Sequence, residues 1–232
     1  MPEQTIGPYL VLGEGDRDKI FMEGLCQNRG IAGLVVDFVK GNDRFGGHLT
    51  ALTAAPGFAS CKGILLVSDI DESAEESFDN IKQQLRDSDF PMPNSPLQIA
   101  RKQGLPNLAI LMIPHPLPTN DPRGALETLL IPAMESVNHM QAECVLTMLG
   151  CAGVTAWGRK SSQDKARVRC LISAVYEADP MHGLQYCFSP RKNLVDLGHN
   201  CFNEVALVLR HFPAWSGSAH REWAHWRAAN NV

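Results

Sequence analysis

No C-x-x-C pair occurs anywhere in this chain of 232 residues, although it carries seven cysteines. An odd, unpatterned set of thiols points to a reducing, cytoplasmic compartment rather than to a disulfide framework. Cys144 and Cys151 lie near His139, but their spacing fits no zinc site. No apolar run approaches the roughly 20 residues of a membrane span. The opening Met1–Ile6 lacks the charged-then-apolar order of a secretory signal. The net charge is only −4, so no global pull toward nucleic acid or membrane exists, and any such binding needs a local patch. Internal repeats and low-complexity tracts are absent as well. What remains is a chain of ordinary composition, long enough for one sizeable core or one domain with an appendage.

The stretch Gly63-Ile-Leu-Leu-Val-Ser-Asp69-Ile-Asp71-Glu72-Ser73 organises the rest. Ile64 to Val67 is a short unbroken apolar run, the pattern of a strand buried on both faces in a parallel sheet. Asp69 and Asp71 follow at once. Residues two apart on an extended chain point the same way, so both carboxylates project from the strand's carboxyl end, where open α/β sheets bind ligands. Two adjacent like charges stay ionised together only with a cation near them. Ser73-Ala-Glu-Glu76 also fits a helix capping box.

Upstream, Tyr9–Leu12 is a strand candidate that runs into Gly13-Glu14-Gly15-Asp16-Arg17-Asp18. The following helix carries Ile20, Phe21, Gly24 and Leu25 on one stripe and stops near Gly30. Glu14 thus sits at a strand end between two turn-permitting glycines, and Asp18 falls in the first helical turn. Leu34–Val39 is a second strand, followed by a turn-rich loop from Lys40 to Gly47 and a short helix with Leu49 and Leu52. The Gly63 strand is third. Ser73 to Leu85 reads as a helix with Phe78, Ile81 and Leu85 inward, the proline-rich 90–96 as a loop, and Leu108–Ile113 as the fourth strand. A loop from His115 to Pro122 leads to a helix from Gly124 that is expected to halt at Pro132. Strands alternating with helices imply a parallel sheet, with Glu14, Asp69 and Asp71 on one edge.

Beyond this α/β part the pattern turns helical. The division expected is 1–132 for the α/β domain, 133–215 for a helical portion and 216–232 for a tail. Met134, Val137, Met140, Cys144, Val145 and Met148 form an apolar stripe that reads as core. Ser161 to Tyr176 is a helix with Val168, Leu171, Ile172 and Val175 inward, and a last helix from Phe202 is expected to stop at Pro213. Arg159, Lys160, Lys165, Arg167 and Arg169 make the one clear basic cluster, against a single Asp164. Arg159, Lys160, Lys165 and Arg167, with Lys40 after the second strand, are the candidates for phosphate contacts. Trp215, Trp223 and Trp226 suit packing on the domain, contact with another subunit, or stacking on bases.

Glu14, Asp18, Asp69 and Asp71 are hard oxygen donors without a histidine or cysteine among them, a set suited to Mg²⁺ or Mn²⁺. One or two such ions would stabilise the attacking and leaving oxygens of a phosphoester displacement, with a carboxylate relaying protons. At these residues the chain resembles the Toprim family: strand-Glu14-Gly15-x-x-Asp18-x-x-Phe21, then strand-Asp69-x-Asp71. That catalytic domain is shared by topoisomerases, primases, small recombination and RNA-maturation proteins and the overcoming-lysogenization-defect nucleases. The resemblance covers roughly residues 7–115. Gly124-x-Leu126-Glu127 and Asp164-Lys165-Ala166-x-Val168 resemble later motifs of small stand-alone Toprim-like proteins of uncharacterised function.

The resemblance implies a four-stranded parallel sheet between helices, with a helical C-terminal extension. It implies Glu14 as acid or base, Asp69 and Asp71 as Mg²⁺ ligands, Asp18 at a second ion, and Glu127 as a further carboxylate. It implies nucleic acid, DNA or RNA, as substrate and phage defence as a setting. No topoisomerase tyrosine context surrounds Tyr9, Tyr176 or Tyr186, and no P-loop is present, which leaves a nuclease acting alone or beside a separate ATPase, with a homodimer compatible. Two other readings stand beside it. One is a non-catalytic binding or regulatory module of the same fold. The other is a haloacid-dehalogenase-like phosphatase with Asp69 as nucleophile, against which Asp71 is followed by Glu-Ser and the motif lies on the third strand.

Overall fold

The computed structural model describes residues 6–41, 44–115, 121, 123–177, 183–188 and 194–232, and the expected His115–Pro122 loop falls largely outside them. The chain has an α/β fold built on a four-stranded, all-parallel sheet. Its strands are β1 (Tyr9–Gly13), β2 (Val35–Phe38), β3 (Gly63–Asp69) and β4 (Asn107–Ile113), in the order β2-β1-β3-β4. Leu10 pairs with both Val35 and Ile64, so β1 is central to the register. The apolar runs of β3 and β4 are buried on both faces, which is why they read as continuous rather than alternating.

Chain contacts divide the molecule into two compact units. Unit 1 is 1–68, 75–112 and 206–232; unit 2 is 69–74 and 113–205. In unit 1 the sheet is joined by α1 (Asp16–Arg29), α2 (Phe45–Thr53) and α3 (Ala74–Asp87). Helix α1 ends because Gly30 takes a left-handed φ of 61°, and its amide donates to the Cys26 and Gln27 carbonyls. Helices α2 and α3 approach closely: a Cβ at Gly46 would lie 2.7 Å from the Gln84 carbonyl oxygen. Most of α7 (Asn203–Gly217) and all of α8 (Trp223–Ala229) belong to unit 1.

The segment 216–232 belongs to unit 1. Ile99 N–H donates to the Arg221 carbonyl at 2.7 Å, and Trp223 N–H to that of Leu97 at 3.0 Å. Trp215, Trp223 and Trp226 are all buried. Trp223 stacks on Trp226 with centroids 5.4 Å apart, so these rings pack the domain and present no face for bases.

Unit 2 holds α4 (Leu126–Val137), α5 (His139–Cys151) and α6 (Lys160–Val175), with α6 packed against the other two. Three sequence expectations fail in these helical parts. Helix α4 runs through Pro132 and α7 through Pro213. A proline removes one amide hydrogen bond, but buried side chains flank each: Leu130, Ile131, Ala133 and Met134 in α4, Phe212 and Trp215 in α7. Their burial holds the axis on both sides of the defect. The third failure is the apolar stripe. Asn138 ends α4 and starts α5, so Met134 and Val137 lie on a different helix from Met140, Cys144, Val145 and Met148. In α5, Ala142, Val145 and Leu149 face inward, while Met140 is 76% exposed and Met148 48%. Among the described residues no helix is long and apolar enough to cross a membrane.

Candidate functional site

In unit 1 the sequence candidates gather where β1 ends. Gly13 closes the strand, and a Cβ there would lie 2.4 Å from that of Asp18, so only glycine lets the first turn of α1 fold back. The Asp18 carboxylate accepts the Gly15 amide at 2.8 Å, satisfying a donor that the helix start would otherwise leave unmet. The Glu14 carboxylate accepts the hydroxyl of Ser68, the penultimate residue of β3. The backbone after β2 also docks here: Val39 N–H donates to Gly13 O at 2.9 Å and Gly41 N–H to Glu14 O at 2.8 Å. From β1 the chain passes to β2 on one side, and β3 lies on the other, so the sheet's topological switch point falls between β1 and β3. Crevices at the carboxyl edge of such a point are the usual ligand sites of open α/β sheets.

Unit 2 begins with Asp69, and its first residues are tied to two helix starts. Asp69 Oδ1 accepts Leu126 N–H at 2.8 Å, at the first turn of α4. Asp71 pairs with Gly124 through two reciprocal backbone bonds of 2.7 Å. It does so at φ 54°, a left-handed conformation that aspartate tolerates better than most side-chain-bearing residues. The Glu72 carboxylate accepts Lys160 N–H and Ser161 N–H, each at 3.2 Å, and the Ser161 hydroxyl at 3.0 Å, capping α6. Arg123 approaches the same carboxylate at 3.5 Å. Burial works to raise the Glu72 pKa, but the Ser161 hydroxyl, the two amides and Arg123 together hold it below the ordinary glutamate value. Asp121 is likewise held low, by the hydrogen bonds and charge of Arg123.

The basic residues singled out in the sequence are mostly engaged inside unit 2. Lys160 pairs with Asp164, which is only 3% exposed and also accepts the Thr128 hydroxyl at 2.5 Å. Lys165 Nζ stands 3.8 Å from Asp71 Oδ1. Arg167 pairs with Glu135, and Arg159 is exposed at the N-cap of α6. Lys40, in unit 1, is exposed beyond β2. Glu127 is buried in α4, at 5% exposure, rather than an exposed helix residue. Sequence reasoning missed Glu72, Thr128 and Ser161 as partners because each acts across 36 residues or more.

The family described as "Protein of unknown function (DUF3226)" matches residues 8–212. The chain belongs to the DUF3226 family. No curated protein and no solved structure matches it. In this DUF3226 member the matched span runs from the start of β1 into α7, so both acidic strand ends and all of α4–α6 lie within it, whereas Trp215, Trp223 and Trp226 lie beyond. Among the described residues of the DUF3226 chain, no three histidine, cysteine, aspartate or glutamate side chains gather into a metal-holding group.

Proposed function

We propose that this DUF3226 chain is a Toprim-like protein that breaks or transfers nucleic acid phosphodiesters with Mg²⁺ or Mn²⁺. Glu14 serves as acid or base, and Asp69 and Asp71 as cation ligands. The observation that carries the reading is the hydrogen bond from Ser68 to Glu14 at the switch point of the sheet. Ser68 is the residue that directly precedes Asp69 in the sequence.

The donors suit a hard cation, because all are carboxylate oxygens. Mg²⁺ needs no cage made wholly of protein, because it keeps several waters and is held by one or two carboxylates together with substrate phosphates. Bound there, it would polarise a phosphoryl oxygen and lower the pKa of a coordinated water. Within the chain, the Ser68 hydroxyl orients Glu14, and Asp18, fixed by Gly15, adds negative charge at the same strand end. A nuclease acting alone or beside a separate ATPase, in phage defence, is the setting proposed with it.

A specific observation favours a second reading. Lys165 stands beside Asp71, where its ammonium supplies the positive charge that a cation would. A binding or regulatory module without chemistry would use the acidic loop in that way. Incubation of the purified chain with mixed DNA and RNA in Mg²⁺ or Mn²⁺ separates the two. Hydrolysis should vanish in chelator, in Glu14→Gln and in Asp71→Gly. Cleavage that survives all three overturns the first reading, and so does a lack of any heat on titrating either ion. A trapped aspartyl-phosphate at Asp69 would instead indicate phosphatase chemistry.

A further inference from the structure

A cavity of about 450 Å³ opens in unit 1 at the carboxyl end of β2, lined by Phe38, Val39, Lys40, Arg44, Gly47 and His48. Its size is that of a small-molecule site. Lys40 and Arg44 are both exposed at its rim, and neither side chain has an ion-pair partner among the described residues. Two cations at one mouth, without ion-pair partners among the described residues, call for an anion. The wall supplies a second signal. His48 Nε2 is buried and has no hydrogen-bond partner among the described residues, a state that costs free energy unless a ligand or water meets it. Burial also lowers the His48 pKa, against the opposing pull of Asp37, so the ring can meet a ligand as donor or acceptor. Space is available as well: a Cβ built at Gly47 meets no heavy atom within 4 Å. The remaining lining is apolar and includes the Phe38 ring, more surface than a bare phosphate would use.

We infer that this pocket binds a nucleotide 5′-phosphate, with Lys40 and Arg44 on the phosphate, His48 on a polar group, and the base or sugar against Phe38. The site does not depend on metal-assisted hydrolysis, because none of its residues is a carboxylate assigned to the cation. The shared chemistry has two sources, a free mononucleotide or the 5′-end of a strand, and the measurement distinguishes them.

The test is calorimetry on the full chain in chelator, with the four 5′-mononucleotides, adenosine, inorganic phosphate and a 5′-phosphorylated trinucleotide as probes. At least one mononucleotide or the trinucleotide should bind. Adenosine, which lacks the phosphate, and inorganic phosphate, which lacks the base and sugar, should each bind at least about tenfold more weakly, and so should that nucleotide to Lys40→Gln or Arg44→Gln, each of which loses one charge-assisted contact. Gly47→Leu should abolish binding while melting at or above the wild-type temperature, because it fills open space and replaces a helical glycine. Gly47→Ala serves as the milder version. Tighter binding of the trinucleotide identifies a strand end, and binding of mononucleotide alone identifies a free ligand; either supports the pocket. Silence with every nucleotide at millimolar concentration overturns it, as does equal affinity for inorganic phosphate or unchanged binding in Gly47→Leu. Nucleotide binding without nuclease activity leaves the pocket standing and removes the hydrolysis, and the converse removes only the pocket.

Discussion

Replacing Glu72 by alanine removes a carboxylate that caps α6 from 88 residues away. Three hydrogen bonds go with it, two from backbone amides at 3.2 Å and one from the Ser161 hydroxyl at 3.0 Å. Loss of an N-terminal cap costs about 0.5–2 kcal/mol, typically about 1. The Glu72 side chain is 31% exposed, so water recovers part of the loss at the amides. The Arg123 contact at 3.5 Å adds little for the same reason. The expected cost is therefore about 1–1.5 kcal/mol at pH 7, a fall in Tm of about 3–5 °C for a chain of this size. Urea and thermal unfolding followed by circular dichroism measure it. The pH dependence sharpens the test. The folded-state pKa of Glu72 lies below the ordinary glutamate value, so the stabilisation is fully present above that ordinary value and fades as pH falls through the lowered one. The gap between wild type and Glu72→Ala should therefore close in acid, while Glu72→Gln, which keeps an acceptor oxygen, should lie between them at pH 7. A gap below about 0.3 kcal/mol at pH 7, or one that stays constant into acid, would refute the capping argument.

Asp71→Gly should leave stability unchanged or raise it by up to about 1 kcal/mol, because glycine accepts a φ of 54° more readily, while it removes the proposed cation ligand. Titrating Mn²⁺ into a fully folded variant shows whether the ligand role is real. Gly124→Ala should destabilise by about 2 kcal/mol or more in a denaturant melt. Its Cβ would sit 2.3 Å from Thr128 Oγ1 at a φ of 143°. A thiol reagent at pH 8 should modify exposed Cys144 and Cys151 first, read by peptide mass spectrometry. Burial pushes the Cys26 thiol up to about 11 and that of Cys187 to about 12, so both should react only on unfolding.

The four strands and helices α1–α3 were legible because each owes its form to a local pattern. Ile64–Val67 is apolar throughout, and Phe78, Ile81 and Leu85 repeat at helical spacing. The two prolines were misread because their helices are held by burial on either side, which no short window reveals. The Met140 and Met148 face was misread because Asn138 sets a new start for α5, with its side-chain amide donating to the carbonyls of Met134 and Leu194. The acidic residues at the ends of β1 and β3 stood out from their strand context. Their partners did not: Leu126 lies 57 residues from Asp69, and Ser161 lies 89 from Glu72. Contacts of that range leave no trace in spacing. The pocket beside His48 was equally silent, since a lysine and an arginine in a turn-rich loop and a histidine in a short helix carry no motif.

The four residues from Asp69 to Glu72 work as a clasp. Within them lie the acceptor for the start of α4, the bridge to Gly124 and the acceptor for the start of α6. Both helix starts thus draw an acceptor from this one short loop. Amide protons at Leu126 and at Lys160 and Ser161 should therefore exchange with one shared opening energy, so that the helical unit loosens as a single piece when the loop lets go.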